Sequence, residues 1–240
     1  LRIRVPVMAR KSVESQGGLV ATEAHVENEG LWVGEARINQ INAPAYTTSL
    51  LGTPAPMPFR LLLPVDGDGR ANLLSHVVLA WDSTLTDAPH TNGAYALYAS
   101  DRTLPAGATD VNRIGSASFP LMMPTLLSGS FSNALMGRVT VRFDDPTNPF
   151  LHRYHPLHDN QDWNFQTYTQ AVETPTILRD LTLQFTPTTN APANPFWGVD
   201  IVGGTYLETL GGLRAQPIQV QGTFTLQRIS RINTLRSATP

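Results

Sequence analysis

The sequence predicts an all-β fold: an antiparallel β-sandwich, jelly-roll-like, with about ten strands and long loops. Three observations lead there. Apolar and polar residues alternate with a period of two in several segments, as in PIQVQGTFTLQRI at 217–229. The chain holds 18 Gly and 19 Pro but only 15% charged residues, a balance that favours short strands and turns. No segment carries a sustained helical stripe with caps.

The strands are justified in chain order. Residues 2–8 of LRIRVPVMA and 31–41 (LWVGEARINQI) alternate and open the fold. Residues 57–82 read as a hairpin, PFRLLLPV and RANLLSHVVLAW flanking VDGDGR, because Asp-Gly is a strong turn signal. Asp66-Gly67-Asp68-Gly69 also looks like the start of a calcium loop, but no Glu stands at the twelfth position and strands flank it. Further strands are expected at 94–99, 113–119, 138–143, 176–186, 200–210 and 217–229. In TILRDLTLQFT one side carries Ile177, Arg179, Leu181, Leu183 and Phe185. In the last strand Gly222 lies on the apolar side, which marks a bulge or a close backbone approach. Residues 43–57, 83–93, 102–112, 144–165 and 186–198 are turn-rich, and LMMPTLL at 121–127 reads as an apolar loop plug. With no convincing linker, residues 1–240 are expected to form one domain.

Composition narrows the function. A formal net charge of −2 leaves no electrostatic footprint for nucleic acid. No apolar run approaches the roughly 20 residues of a membrane span. Cysteine is absent, which excludes disulfides and thiolate chemistry. Lys11 is the sole lysine beside sixteen arginines. The chain starts at Leu1 already strand-like, so a processed piece or module of a longer secreted chain is expected.

The segment richest in chemistry is 144–165, DDPTNPFLHRYHPLHDNQDWNF. Pro146, Pro149 and Pro156 exclude regular helix, and extended backbone at a spacing of three brings His152, His155 and His158 to one side. With Asp159 they form a candidate site for zinc, nickel or copper, and the centre of a metal-dependent enzyme as a lesser alternative. A calcium variant would use Asp144, Asp145, Asn148, Asp159, Asn160 and Asp162. The favoured reading is a tied loop, in which Asp159 and Asn160 bond backbone amides while Tyr154, Trp163 and Phe165 pack. A glycosidase needs two facing carboxylates; Glu35, Asp82, Asp200 and Glu208 are conceivable, though each reads first as a solvated side chain on an alternating strand. Trp32, Trp81, Trp163, Trp197 and Tyr206 are candidates for stacking on sugars, but buried aromatics are usually core.

In order, GLWVGEARINQI, FRLLLPVDGDGRANLLSHVVLAW, DDPTNPFLHRYHPLHDNQD and WGVDIVGGTYLETLGGLRAQPIQVQGTFTLQRIS resemble a β-rich module of large secreted bacterial proteins, over roughly residues 30–230. NPF-x-HRYHP-x-HDN is its most specific mark. The resemblance implies export and a place in a surface or extracellular protein, and it carries no known activity, so no catalytic residue transfers. Leu157 stands where the module's pattern has an acidic residue, which weakens any role needing a carboxylate there.

The expected function is therefore a non-enzymatic extracellular or cell-surface structural protein, a fibre or layer subunit using strand addition, with LRIRVPVMA suited to donate a strand. The expected partners are copies of itself or neighbouring modules. A carbohydrate- or cell-surface-binding module is the alternative.

Overall fold

The computed structural model describes residues 28–42, 50–85, 92–116, 121, 124–131, 133–151, 174–186 and 200–236. Twelve strands lie among them: β1 (Gly30–Asn42), β2 (Leu50–Val65), β3 (Ala71–Leu73), β4 (His76–Asp82), β5 (Ala94–Tyr98), β6 (Thr109–Gly115), β7 (Thr125–Gly129), β8 (Ala134–Val141), β9 (Ile177–Phe185), β10 (Ile201–Gly211), β11 (Ile218–Ser230) and β12 (Leu235–Arg236). Eight of them close into an antiparallel barrel in the order β1-β11-β10-β9-β8-β7-β3-β2. The rest form a four-stranded sheet, β12-β5-β4-β6, in which β12 runs parallel to β5.

The all-β expectation holds, but the sandwich does not: β1 pairs with both β2 and β11, and the ring closes instead of stacking as two open sheets. Interior glycines supply the physical reason. A Cβ on Gly34, Gly204 or Gly222 would run into the backbone carbonyl of Thr225, Gln184 or Arg37 on the neighbouring strand. Only glycine permits so close an approach, and with it the tight curvature that turns a sheet back on itself. Gly222 faces a register shift between Ile38 and Gln40, so the sequence signal at that residue marks a real irregularity.

Alternation then fills the barrel. Trp32, Ala36 and Ile38 of β1, Leu61, Leu63 and Val65 of β2, and Leu181, Leu183 and Phe185 of β9 point inward and are buried. Each such side chain contributes about 1.5–3 kcal/mol on leaving water. The other parity carries Glu35, Arg37, Arg138 and Asp180 on the outer wall, where Arg138 and Asp180 pair across strands. This apolar-in, polar-out order is the reverse of a membrane barrel's. No helix among the described residues is long and apolar enough to cross a membrane.

The second sheet packs on the outside of the barrel. Leu31 and Leu62, outward-facing on β1 and β2, meet Leu74, Val77 and Leu97 in a buried layer. The expected 57–82 hairpin explains how the two sheets are joined. Asp66 closes the turn, its carboxylate accepting from the N–H groups of Asp68 (2.9 Å) and Arg70 (2.8 Å). The return strand then splits, β3 staying in the barrel and β4 entering the second sheet. Residues 50–57, expected as turn, extend β2, and residues 125–127, expected as part of a plug, lie in β7. Leu121 does pack against the barrel core. The strand expected at 2–8 lies outside the described residues.

Tyr98 and Asp82 hold the outer layer together. The Tyr98 hydroxyl donates to the buried Asp82 carboxylate, which also accepts from Thr84 N (2.9 Å) and Thr84 Oγ1 (2.6 Å). Burial pushes the Tyr98 phenol up to about 12, with Asp82 adding to the shift. A folded value above the ordinary 10.0 means stabilisation that is full below that pH and lost as pH rises through about 12. Urea unfolding across that window should therefore show declining stability, with a shallower decline in Tyr98→Phe. An equal decline in both proteins would contradict this coupling.

Candidate functional site

The most polar place inside the barrel is built from β9 and β10. Arg179, on the apolar side of its strand as the alternation indicates, points inward and ion-pairs with Glu208. Its second nitrogen reaches Glu208 Oε2 at 3.2 Å, and the Tyr206 hydroxyl donates to the same oxygen at 2.7 Å. The Glu208 side chain is 0% exposed and that of Arg179 is 12% exposed. Arg179 also lies over the Phe59 ring at 6.0 Å, and Phe59 meets Tyr206 edge-on at 6.4 Å. Tyr206 fits because its partner on β11 is Gly222, which has no side chain. Burial raises the Tyr206 phenol well above its usual value, reinforced by Glu208 and opposed by Arg179. Burial works against the Arg179 charge, but Glu208 outweighs it and the guanidinium is held still more firmly protonated. The groups satisfy one another, so the cluster ties two strands and, among the described residues, offers no open coordination or substrate position.

The opposite end of the barrel is closed by an aromatic series. Trp32, Phe131, Phe185 and Phe224 follow one another at centroid distances of 5.3, 4.8 and 5.2 Å. Arg228 lies 5.2 Å over Trp32 and is bound to Asp200 at 2.8 Å and to the Glu29 carbonyl at 3.1 Å.

These contacts fix where the conceivable carboxylates sit. Glu35 pairs with Arg37 on the outer wall, in a shallow depression that Thr223 and Thr225 also line. Asp82 is in the second sheet, Asp200 at the Arg228 end, and Glu208 in the interior. They are not brought together as a facing pair. Glu208, read from the sequence as a solvated side chain, is buried; the Arg179 partner on the adjacent strand is what makes its inward position tolerable. Among the aromatics, Trp32 and Tyr206 are core, while Trp81 stands edge-on to the half-exposed Tyr95 in the second sheet. Trp163 and Trp197 lie outside the described residues.

So do His152, His155, His158 and Asp159, with Asn160 and Asp162. The described root of that loop is densely bonded. Buried Asn148 donates to the carbonyls of Arg142 and Pro175, both at 2.9 Å, and accepts from Phe150 N at 3.0 Å. Asp145 caps Thr147, and Asp144 is held by Arg142, whose hydrogen bonds lower its pKa. The three calcium candidates that are described are therefore spent on protein partners. No group of three or more potential metal ligands occurs among the described residues.

No family model, curated protein or solved structure matches the chain. Its own surfaces are what speak to function.

The least satisfied backbone lies along strand edges. On β2 the carbonyls of Leu62 and Arg60 turn away from β1, accepting from Leu74 N (3.0 Å) and Ser116 Oγ (2.7 Å). Pro58 and Pro64 share that parity, so the donors they lack would have faced the same side. This edge is blunted by proline. On β8, Ala134 and Met136 present their carbonyls to β7, and Arg138 and Thr140 continue the set beyond the last paired residue of β7. On β6 one whole side has no strand partner among the described residues, and no proline interrupts Thr109–Gly115. The sequence gives no sign that β6 is an edge, because strand order is not written in alternation.

Proposed function

We propose that the chain is a non-enzymatic structural module of an extracellular or cell-surface assembly, a subunit of a fibre or layer whose subunits join by strand addition. The observation that carries this reading is the contrast between a filled, internally satisfied barrel and a proline-free β6 edge without a partner among the described residues. Backbone N–H and C=O groups at such an edge gain most by pairing with another strand. The resemblance of the 148–160 stretch to modules of secreted bacterial proteins supports the extracellular setting.

Electron microscopy and sedimentation of the native protein over a range of concentrations test the reading. Ordered fibres, sheets or a concentration-dependent oligomer are expected. Discrete monomers at every concentration would rule it out.

A further inference from the structure

We infer that β6 is a self-complementary edge, and that two copies of this chain join by antiparallel pairing of their β6 strands about a two-fold axis. This rests on the strand-addition reading and names its partner and its register.

The edge is narrower than the strand. Ser116 N donates to Ser75 O at 2.6 Å, which fixes the parity of the β4–β6 ladder. The alternate residues Val111, Arg113 and Gly115 then turn their main-chain groups to the free side. Gly115 is already engaged, its carbonyl accepting from Arg60 Nη1 at 3.3 Å. Asp110 sits at φ 47°, the sole non-glycine residue with positive φ among the described residues, next to a register shift between Leu79 and Trp81. Regular pairing stops there. Val111 and Arg113 remain as the two residues that offer the free side both a donor and an acceptor.

Two residues of the same parity make a self-complementary set. An antiparallel two-fold register that sets Val111 opposite Arg113 of the second copy engages every one of these open groups at once. It puts Asn112 opposite its own copy in a non-hydrogen-bonded pair, where side chains approach most closely. It also keeps the two Arg113 guanidinium groups from facing each other and brings each towards the strand end that carries Asp110 of the other copy. The alternative register centred on Arg113 would oppose like charges, which is unfavourable across strands. Pairing this short is small beside a standard interface, so the association is weak in dilute solution and strengthened where copies are held close together.

The absence of cysteine provides a clean test. Asn112→Cys is expected to form an intermolecular disulfide on mild oxidation, giving a covalent dimer, while Gly115→Cys is not. In sedimentation, Arg113→Pro, which deletes one edge donor and no β4–β6 ladder bond, should weaken dimerisation about tenfold or more. Arg113→Ala, which loses the ion pair with Asp101 and the attraction towards Asp110 of the other copy but keeps the edge donor, should associate clearly more tightly than Arg113→Pro. Cross-linking of Asn112→Cys no better than of Gly115→Cys overturns the inference, as does equal association of the Arg113→Pro and Arg113→Ala proteins. Should ordered assemblies form under either of those results, the edge assignment fails and the structural role stands. If no association is seen in any protein, both fail.

Discussion

Replacing Glu208 with alanine should destabilise the protein by about 3–5 kcal/mol, read as a lowered urea midpoint with an unchanged slope. The reasoning starts from burial. The Glu208 side chain is fully enclosed and that of Arg179 nearly so, and removing the carboxylate takes the buried ion pair away from a cation that stays inside the barrel. Tyr206 loses its acceptor at the same time. Arg179→Ala should cost a similar amount by stranding the carboxylate. The combined replacement Arg179→Met, Glu208→Leu and Tyr206→Phe is the informative contrast, because it removes both charges and the hydroxyl that would lose its acceptor, and fills the space with apolar atoms. It should recover most of the loss and come out near neutral or better, since a buried pair gains little over well-packed hydrophobic side chains. If the single Glu208→Ala change moved the midpoint no more than a surface substitution does, the cluster would have to be solvated and the picture of a sealed interior would be wrong.

The second large effect is expected at Gly34. Alanine there places a methyl group against the Thr225 carbonyl and the backbone of Leu226, none of which can swing away as a side chain would. The two strands must separate, breaking ladder bonds on both sides of the clash, at a cost of about 3 kcal/mol or more. Gly204 and Gly222 make the same kind of approach to Gln184 and Arg37. Gly52, on an exposed stretch of β2, has nothing within 4 Å of where an added methyl group would lie, and Gly52→Ala serves as the control with little change. Thermal unfolding of the two variants side by side decides the matter; similar midpoints would mean that the barrel does not depend on these close approaches.

Both effects bear on what the sequence could reveal. β9 and β11 were legible because their side chains alternate cleanly and their lengths exceed any competing turn signal. Arg179 was legible as an inward residue for the same reason: it shares parity with Leu181, Leu183 and Phe185. Glu208 was not, because both sides of TYLETL carry apolar residues and the strand's own pattern cannot choose between them. The choice is made by Arg179 on the adjacent strand, a non-local fact. Barrel closure was hidden for a related reason. It passes through β3 and β7, short strands in a hairpin and an apolar loop, and through glycines whose role depends on what lies across from them. Pro54 and Pro56 argued for turn, yet a strand tolerates proline wherever the lost donor faces no partner.

If β6 pairs as proposed, the proline-blunted side of β2 and the side of β6 that has no strand partner among the described residues together set the valence of the molecule. Pairing through β6 is isologous, so it closes at two copies and cannot by itself propagate into a filament. Lengthwise growth would need a second, differently placed surface. The outer wall offers apolar side chains for it in Leu126 and Met136, exposed by 61% and 48% on the neighbouring strands β7 and β8. A dimer joined at β6 displays that pair of residues twice, related by the two-fold. The repeating unit of any larger lattice built this way is therefore bipolar, and its ends are chemically the same.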